Sequence, residues 1–292
     1  MTRPPAVFRF APSPNGRLHL GHALSAIVGF EWARKVGGRF LLRIEDIDTA
    51  RCREEFIGGI CEDLSWLGLT WDEPVLRQSE HFTDYVAAAE RLRAAGLLYP
   101  CFATRAEIAA AARRDPEAVD PDGAPLYPGL HKGMSQGEIA ARKARREPFA
   151  LRLDMPAAIE AASRILSGAP LTFTELSEDG SPREVAADPA RWGDAVILRK
   201  DVPASYHIAV VVDDARQGVT HVTRGQDLLA ATDIHRLLQV LLGLPAPLYH
   251  HHGLVADSEG RKLSKSAGDT GLASLRAQGW TADDVRRRLG FN

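Results

Sequence analysis

The sequence is poor in cysteine, in lysine and in long apolar runs. Its three cysteines, Cys52, Cys61 and Cys101, are odd in number and scattered over 292 residues. That argues against a disulfide framework and for a reducing compartment. No apolar run approaches the roughly 20 residues a membrane helix needs. The N-terminal "MTRPPAVFRF" has no hydrophobic core of an export signal, so a cytoplasmic protein with no membrane partner is expected. The net charge is only −2, and no overall basic field announces nucleic acid. There are 6 lysines against 30 arginines. A GC-rich coding background accounts for that bias, and it also makes two lysines within "KLSKS" (262–266) hard to read as filler. Neither Gly-x-x-x-x-Gly-Lys-Ser/Thr nor a Gly-x-Gly-x-x-Gly after a strand occurs, which disfavours P-loop and dinucleotide enzymes.

What is present is the composition of an ordinary globular protein, 45% hydrophobic and 25% charged, long enough for one large domain or one domain with an insertion. Residues 7–10 read as a strand. A helix from about Leu18 to Val36 follows, with Leu20, Leu24, Ile27 and Val28 at i, i+4, i+7 and i+8 and Gly37-Gly38 at its end. "RFLLRIEDID" (39–48) reads as a buried strand delivering carboxylates to a sheet edge. This strand–helix–strand unit predicts a parallel sheet with helices on its faces. Helices are expected near Arg53–Leu67 and Glu80–Ala95.

From Tyr99 to Arg191 the texture changes, with a Pro- and Asp-rich loop, a charged helix in "MSQGEIAARKARRE" and short strands in "FALRLDMP" and "LTFTEL". "AVILRK", "HIAVVVDD" and "VTHVTRG" then read as strands. "DLLAATDIHRLLQVLLGL" is a helix with its stripe at Ile234, Leu237, Leu238, Leu241 and Leu242, and "PLYHHHGLVADSEG" is a strand and turn. One or two helices complete the chain after Ser266. The expected division is a catalytic core in two halves (1–98 and 192–266), an inserted α/β subdomain (99–191) and a helical tail (267–292).

Two short motifs carry chemistry. In "HLGH", His19 and His22 lie one turn apart at a helix start, where backbone N–H groups and the helix dipole favour a phosphate. Gly21 leaves room for a flat base against the backbone. Read alone, the pair either grips a nucleotide or only caps the helix. In "KLSKS", Lys262 and Lys265 either hold a triphosphate whose charge shifts during reaction or form a solvated basic turn.

Taken together, "APSPNGRLHLGH" after the first strand and "KLSKS" after the last resemble a class I aminoacyl-tRNA synthetase core. "RFAPSPNG", "LLRIEDID", "YHIAVVVDD" and "GVTHVTRGQDLL" resemble its glutamyl branch, and the likeness spans roughly residues 7–105 and 192–266. The resemblance implies a Rossmann-like parallel sheet split by an insertion, with the site at the carboxyl ends of its strands. It implies that Arg9, Ala11 and Ser13 begin a glutamate pocket, that Glu45 receives the α-ammonium, and that Tyr206 and Arg224 close the pocket. It assigns His19, Gly21, His22, Lys262 and Lys265 to ATP, with His19, His22 and Lys265 stabilising the reacting phosphates and Mg²⁺ accompanying ATP. Guanidiniums suit the two carboxylates of glutamate; which arginine takes which stays open.

The sequence departs from a full-length glutamyl-tRNA synthetase in two places. Only 26 residues follow "KLSKS", so no anticodon-binding domain is expected. In this it resembles truncated paralogues of that branch, which activate glutamate without tRNA and transfer it to the cyclopentene-diol of queuosine in the anticodon loop of tRNA(Asp). A minimal enzyme charging tRNA(Glu), a non-RNA adenylylating enzyme and a non-catalytic RNA-binding relic are the rivals. Family members also often carry Cys-x-Cys in the insertion, followed later by Tyr and Cys. Here Cys101 and Tyr127 match, but Ala103 replaces the second thiolate and His131 falls at the last position. A lost zinc site is expected, with Cys101 a buried apolar residue; a residual Cys101/Tyr127/His131 site completed by water is the alternative. The triple histidine at 250–252 alternates faces along a strand, so its rings cannot meet one ion; it is placed near the nucleotide. "ARKARR" (141–146) and "RRR" (286–288) read as solvated helix faces, with contact to tRNA phosphates the lesser reading.

Overall fold

The computed structural model describes residues 5–113, 115–255 and 271–291. Strand β1 (Val7–Phe10) leads through α1 (Leu20–Lys35) to β2 (Arg39–Ile44), then through α2 (Glu54–Trp66) to β3 (Asp72–Arg77) and α3 (Phe82–Ala94). The intervening segment holds β4 (Leu98–Cys101), α4 (Arg105–Ala112), α5 (Gln136–Ala144), β5 (Ala150–Leu153), α6 (Met155–Ile165), β6 (Thr172–Leu176) and β7 (Pro182–Ala186). After it come β8 (Val196–Leu198), α7 (Tyr206–Arg216), β9 (His221–Gly225), α8 (Ala231–Leu242), β10 (Leu248–His252), α9 (Leu272–Ala277) and α10 (Ala282–Arg288).

The strands β1, β2 and β3 pair in parallel. A second ladder runs β9, β10, β6 in parallel, with β7 antiparallel at its edge. The two ladders meet where β1 lies against β9: Thr220 N–H donates to Val7 O at 2.9 Å, and Val7 N–H donates to Thr220 Oγ1 at 2.8 Å. The chain therefore leaves β1 on one side toward β2 and β3 and returns on the other through β9 and β10. That reversal opens a crevice at the carboxyl ends of β1 and β9, the position where open α/β sheets bind ligands. The strands β4, β5 and β8 form a separate antiparallel sheet.

Helix α1 packs closely over this junction because Gly29 has no side chain: a Cβ there would lie 2.7 Å from Thr223 Oγ1 on β9. One core joins β1, β2, α1 and α2 to the tail, where Leu272, Leu275 and Val285 are buried. Another joins α3, α6, α7 and α8. Leu272 N–H donates to Leu18 O, so the tail is fastened beside the start of α1.

Two expectations need revision. "HIAVVVDD" is not a strand but the body of α7. Four β-branched residues in a short apolar run suit a buried strand, and a run of this length cannot be told from a buried helix by periodicity. Packing against α3 and α8 decides for helix. The strand expected in "FALRLDMP" ends at Leu153, and its last two residues open α6, which Asp154 caps by accepting from Ala157 N–H and which buries Met155, Ala158 and Ala162. The strands "RFLLRI", "VTHVTRG" and "PLYHHH" and the helices α1, α2, α3 and α8 lie where the pattern places them.

Candidate active site

The loop after β1 is clamped to the end of β2. Glu45 N–H donates to Pro12 O at 3.0 Å, and the Ser13 hydroxyl donates to Glu45 O at 2.8 Å. This brings Ala11 and Ser13 alongside the Glu45 side chain. His19 is then the N-cap of α1. Its Nδ1 accepts from Gly21 N–H, and His22 Nδ1 accepts from His19 N–H, both at 3.1 Å. The two rings sit 3.8 Å apart. With Nδ1 accepting, each neutral ring carries its proton on Nε2. Gly21 has a second role here, since a Cβ would stand 2.9 Å from the His19 ring. The pair does cap the helix, and the cap holds both imidazoles against the crevice.

Under Glu45 lies a buried ion network. Arg43, with 0% exposure, donates to Asp214 Oδ1 at 2.6 Å and to Glu45 Oε1 at 3.2 Å. Arg9 Nε donates to the same Asp214 oxygen at 3.1 Å. Burial pushes the Asp214 carboxyl up, but Arg9 and Arg43 outweigh it and hold the group below the ordinary carboxylate range. For Glu45 the balance is reversed: burial raises it despite the pull of Arg43 and Arg9. Asp213, the neighbour of Asp214 in α7, accepts from Gln78 and Tyr85 instead.

Arg224 enters from β9 and is held differently. Nη2 donates to Thr232 Oγ1 at 2.7 Å, Nε to His251 Nε2 at 3.1 Å, and Nη1 lies 3.4 Å from both Tyr206 OH and His235 Nδ1. These acceptors are neutral. Burial pushes His207 down to about 4 and carries His235 well below its ordinary range, with Arg224 adding to both. Burial also lowers His251, against the pull of Glu175. Among the described residues no carboxylate pairs with Arg224, although the residue is only 4% exposed.

Arg9, Ala11, Ser13, His19, Gly21, His22, Glu45, Tyr206 and Arg224 all line one cavity of about 550 Å³. Lys262 and Lys265 lie outside the described residues. Sequence reasoning missed the supporting residues Arg43, Asp214, Thr232, His235 and Glu175. It saw His251 but placed it by the nucleotide, whereas its ring meets Arg224. A helical reading of "YHIAVVVDD", which spaces Tyr206 and Asp214 two turns apart, would have exposed Asp214.

The triple histidine does alternate. His250 stacks on Trp32 and His252 meets Ser25 Oγ at 2.8 Å, both toward α1, while His251 turns to the opposite face. Between the end of β4 and α5, Cys101, Tyr127 and His131 converge, and backbone N–H groups occupy Tyr127 OH and His131 Nδ1. Tyr127 OH accepts from His131 N–H at 2.8 Å and lies beside the Cys101 thiol; His131 Nδ1 accepts from Ala103 N–H at 3.1 Å. The Arg152 guanidinium lies 3.9 Å from the Tyr127 ring centre. One thiol and one imidazole beside a cation do not fit a tetrahedral zinc site. In the basic segments, Arg142 and Arg145 pair with Glu147, Arg286 with Glu31 and Arg287 with Asp284. No helix among the described residues is long and apolar enough to cross a membrane.

The family model for class I tRNA synthetases (E and Q), catalytic domain, matches residues 6–287. A glutamyl-Q tRNA(Asp) synthetase of Rhodobacter capsulatus is 46% identical over 98% of this chain and 100% of its own length. One of Symbiobacterium thermophilum is 40% identical over 97% of this chain and 85% of its length. Among solved structures, a glutamate-tRNA synthetase from Elizabethkingia anophelis superposes with a TM-score of 0.73 at 27% identity, covering 90% of this chain. The chain spans about half, 53%, of that protein.

Proposed function

The chain belongs to the class I tRNA synthetase family for glutamate and glutamine, and from that premise we propose that it activates L-glutamate with ATP, without tRNA, and passes the glutamyl group to queuosine in the anticodon of tRNA(Asp). The observation that carries the amino-acid assignment is the buried guanidinium of Arg224 with no carboxylate partner among the described residues. A buried charge of this kind requires an opposite charge from outside. Glutamate supplies two carboxylates, one for Arg224 and one for the free donors of Arg9, whereas glutamine supplies only its α-carboxylate. Glu45, across the cavity, takes the α-ammonium. Arg9, already paired with Asp214 through Nε, contributes its remaining donors to the second carboxylate.

Activation needs no general base. The ionised α-carboxylate attacks the α-phosphorus of ATP, the bond to the bridging oxygen breaks, and pyrophosphate leaves. Catalysis is in-line positioning and stabilisation of the departing charge. His19, His22 and the N-terminus of α1 supply neutral donors at the phosphates, Lys262 and Lys265 supply ammonium groups, and Mg²⁺ enters with ATP as part of the substrate. In transfer, a hydroxyl of the queuosine diol attacks the carbonyl of glutamyl-adenylate. An ester forms, the hydroxyl proton is lost and AMP departs.

The preference for queuosine over the 3′ end of tRNA(Glu) is supported by relatives of that name that match over 85% or more of their lengths. Radiolabelled glutamate offered to tRNA(Asp) with and without queuosine tests it. Label in the anticodon fragment of the queuosine-bearing tRNA alone is expected; charging of a tRNA(Glu) transcript would overturn it.

A further inference from the structure

We propose that Glu175, on β6 of the inserted segment, is a positioning residue for the amino-acid site, acting through His251 to aim the Arg224 guanidinium. This rests on the reading of the cavity as a glutamate site. Strand β6 lies beside β10 with Glu175 opposite Tyr249. Glu175 Oε1 accepts from His251 N–H at 2.8 Å, and Oε2 lies 2.8 Å from His251 Nδ1. The carboxylate is thus fixed at both oxygens.

An ionised carboxylate only accepts hydrogen bonds, so Nδ1 carries the ring proton. Nε2 then presents its lone pair, and both groups near it are donors: Arg224 Nε at 3.1 Å and the Thr232 hydroxyl at 3.2 Å. Glu175 remains ionised, because His251 outweighs the effect of burial on it. The opposite tautomer would place N–H against N–H. The arrangement explains how a buried arginine can be oriented without being neutralised. A carboxylate in direct contact would consume the charge the substrate must meet. Set one imidazole away, it fixes the geometry and leaves that charge available. The same contact ties the edge of the inserted segment to the amino-acid pocket.

Glu175→Gln tests the tautomer. If the amide oxygen accepts His251 N–H, the amide NH₂ faces Nδ1, and the ring proton moves to Nε2, donor against donor with Arg224. In glutamate-dependent ATP–pyrophosphate exchange, KM for glutamate should rise about tenfold to a hundredfold, with KM for ATP and kcat nearly unchanged. Ring ¹⁵N spectra should show His251 Nε2 unprotonated in the wild type and protonated in the variant. His251→Gln, which offers an amide oxygen to Arg224 without a ring proton, should recover most of the glutamate affinity, and adding Glu175→Gln to it should cost little more. An unchanged KM for glutamate, or equal rises for glutamate and ATP, would overturn the proposal. Absence of exchange in the wild-type enzyme would refute the glutamate reading instead. The ¹⁵N tautomer would then decide the positioning of Arg224 alone, a protonated Nε2 in the wild type overturning it.

Discussion

Arg9 and Arg224 stand on adjacent strands at the same sheet edge, both about 5% exposed, yet they are held in opposite ways. Arg9 shares Asp214 with Arg43 in a closed ion network. Arg224 is surrounded by a hydroxyl, a phenol and neutral imidazoles. One side of the pocket is internally compensated and can act as a rigid wall. The other carries a charge that no carboxylate among the described residues meets. A buried ion pair is costly to break, whereas a buried unpaired charge is costly to keep, so the two sides should fail differently.

The sharpest separation is in stability. Asp214→Asn leaves Arg9 and Arg43 sharing a neutral amide and should cost about 3–5 kcal/mol, measured by urea unfolding; a loss under about 1 kcal/mol would show that the network is not a closed unit. Arg224→Met should do the reverse. Its kcat/KM for glutamate should fall by about 10²–10³, while its unfolding free energy drops far less than that of the Asp214 variant. Equal destabilisation of both would erase the distinction between wall and ligand charge. Glu45→Gln, which touches the closed network at its rim, should raise KM for glutamate roughly tenfold to a hundredfold and leave KM for ATP in place.

The histidines around Arg224 sharpen the contrast through pH. Burial first, and Arg224 with it, lowers His207 to about 4 and also lowers His235 and His251. Between the ordinary histidine value of about 6.5 and these lowered values, the unfolded chain binds more protons than the folded one. This part of the stability is therefore complete above about pH 6.5 and is lost as pH falls toward 4. His207→Phe should flatten the fall in Tm over that range; an unchanged slope would deny the histidine contribution. The smallest effect is expected far from either arginine. Overnight dialysis against a zinc chelator should leave Tm unchanged, because backbone N–H groups occupy Tyr127 OH and His131 Nδ1 and Ala103 supplies no second thiolate.

Much of this site was legible from its motifs once their family resemblance was seen, and local pattern agrees with it. "HLGH" requires a helix start to put its rings on one face, and "RFAPSPNG" and "RIEDID" each end a strand at the same edge. Their side chains are one or two residues from the turn, so strand polarity alone sends them to the crevice. The second layer was not legible. Arg43 shares a face with Glu45, two residues on, and nothing local distinguishes it from a surface arginine. Glu175 lies 76 positions from His251, in a segment whose pairing with β10 no local periodicity reveals.

The sequence by itself determined the α/β class and most of the core strands and helices, which follow from periodicity and turn chemistry acting over a few residues. The residues expected around the cavity came from the resemblance of its motifs to a known family. Tertiary structure decided that "HIAVVVDD" is a helix, that Asp214 pairs with both Arg9 and Arg43, and that Arg224 meets no carboxylate among the described residues. Burial and long-range pairing set those outcomes, because the cost of an uncompensated charge depends on what the folded chain brings beside it.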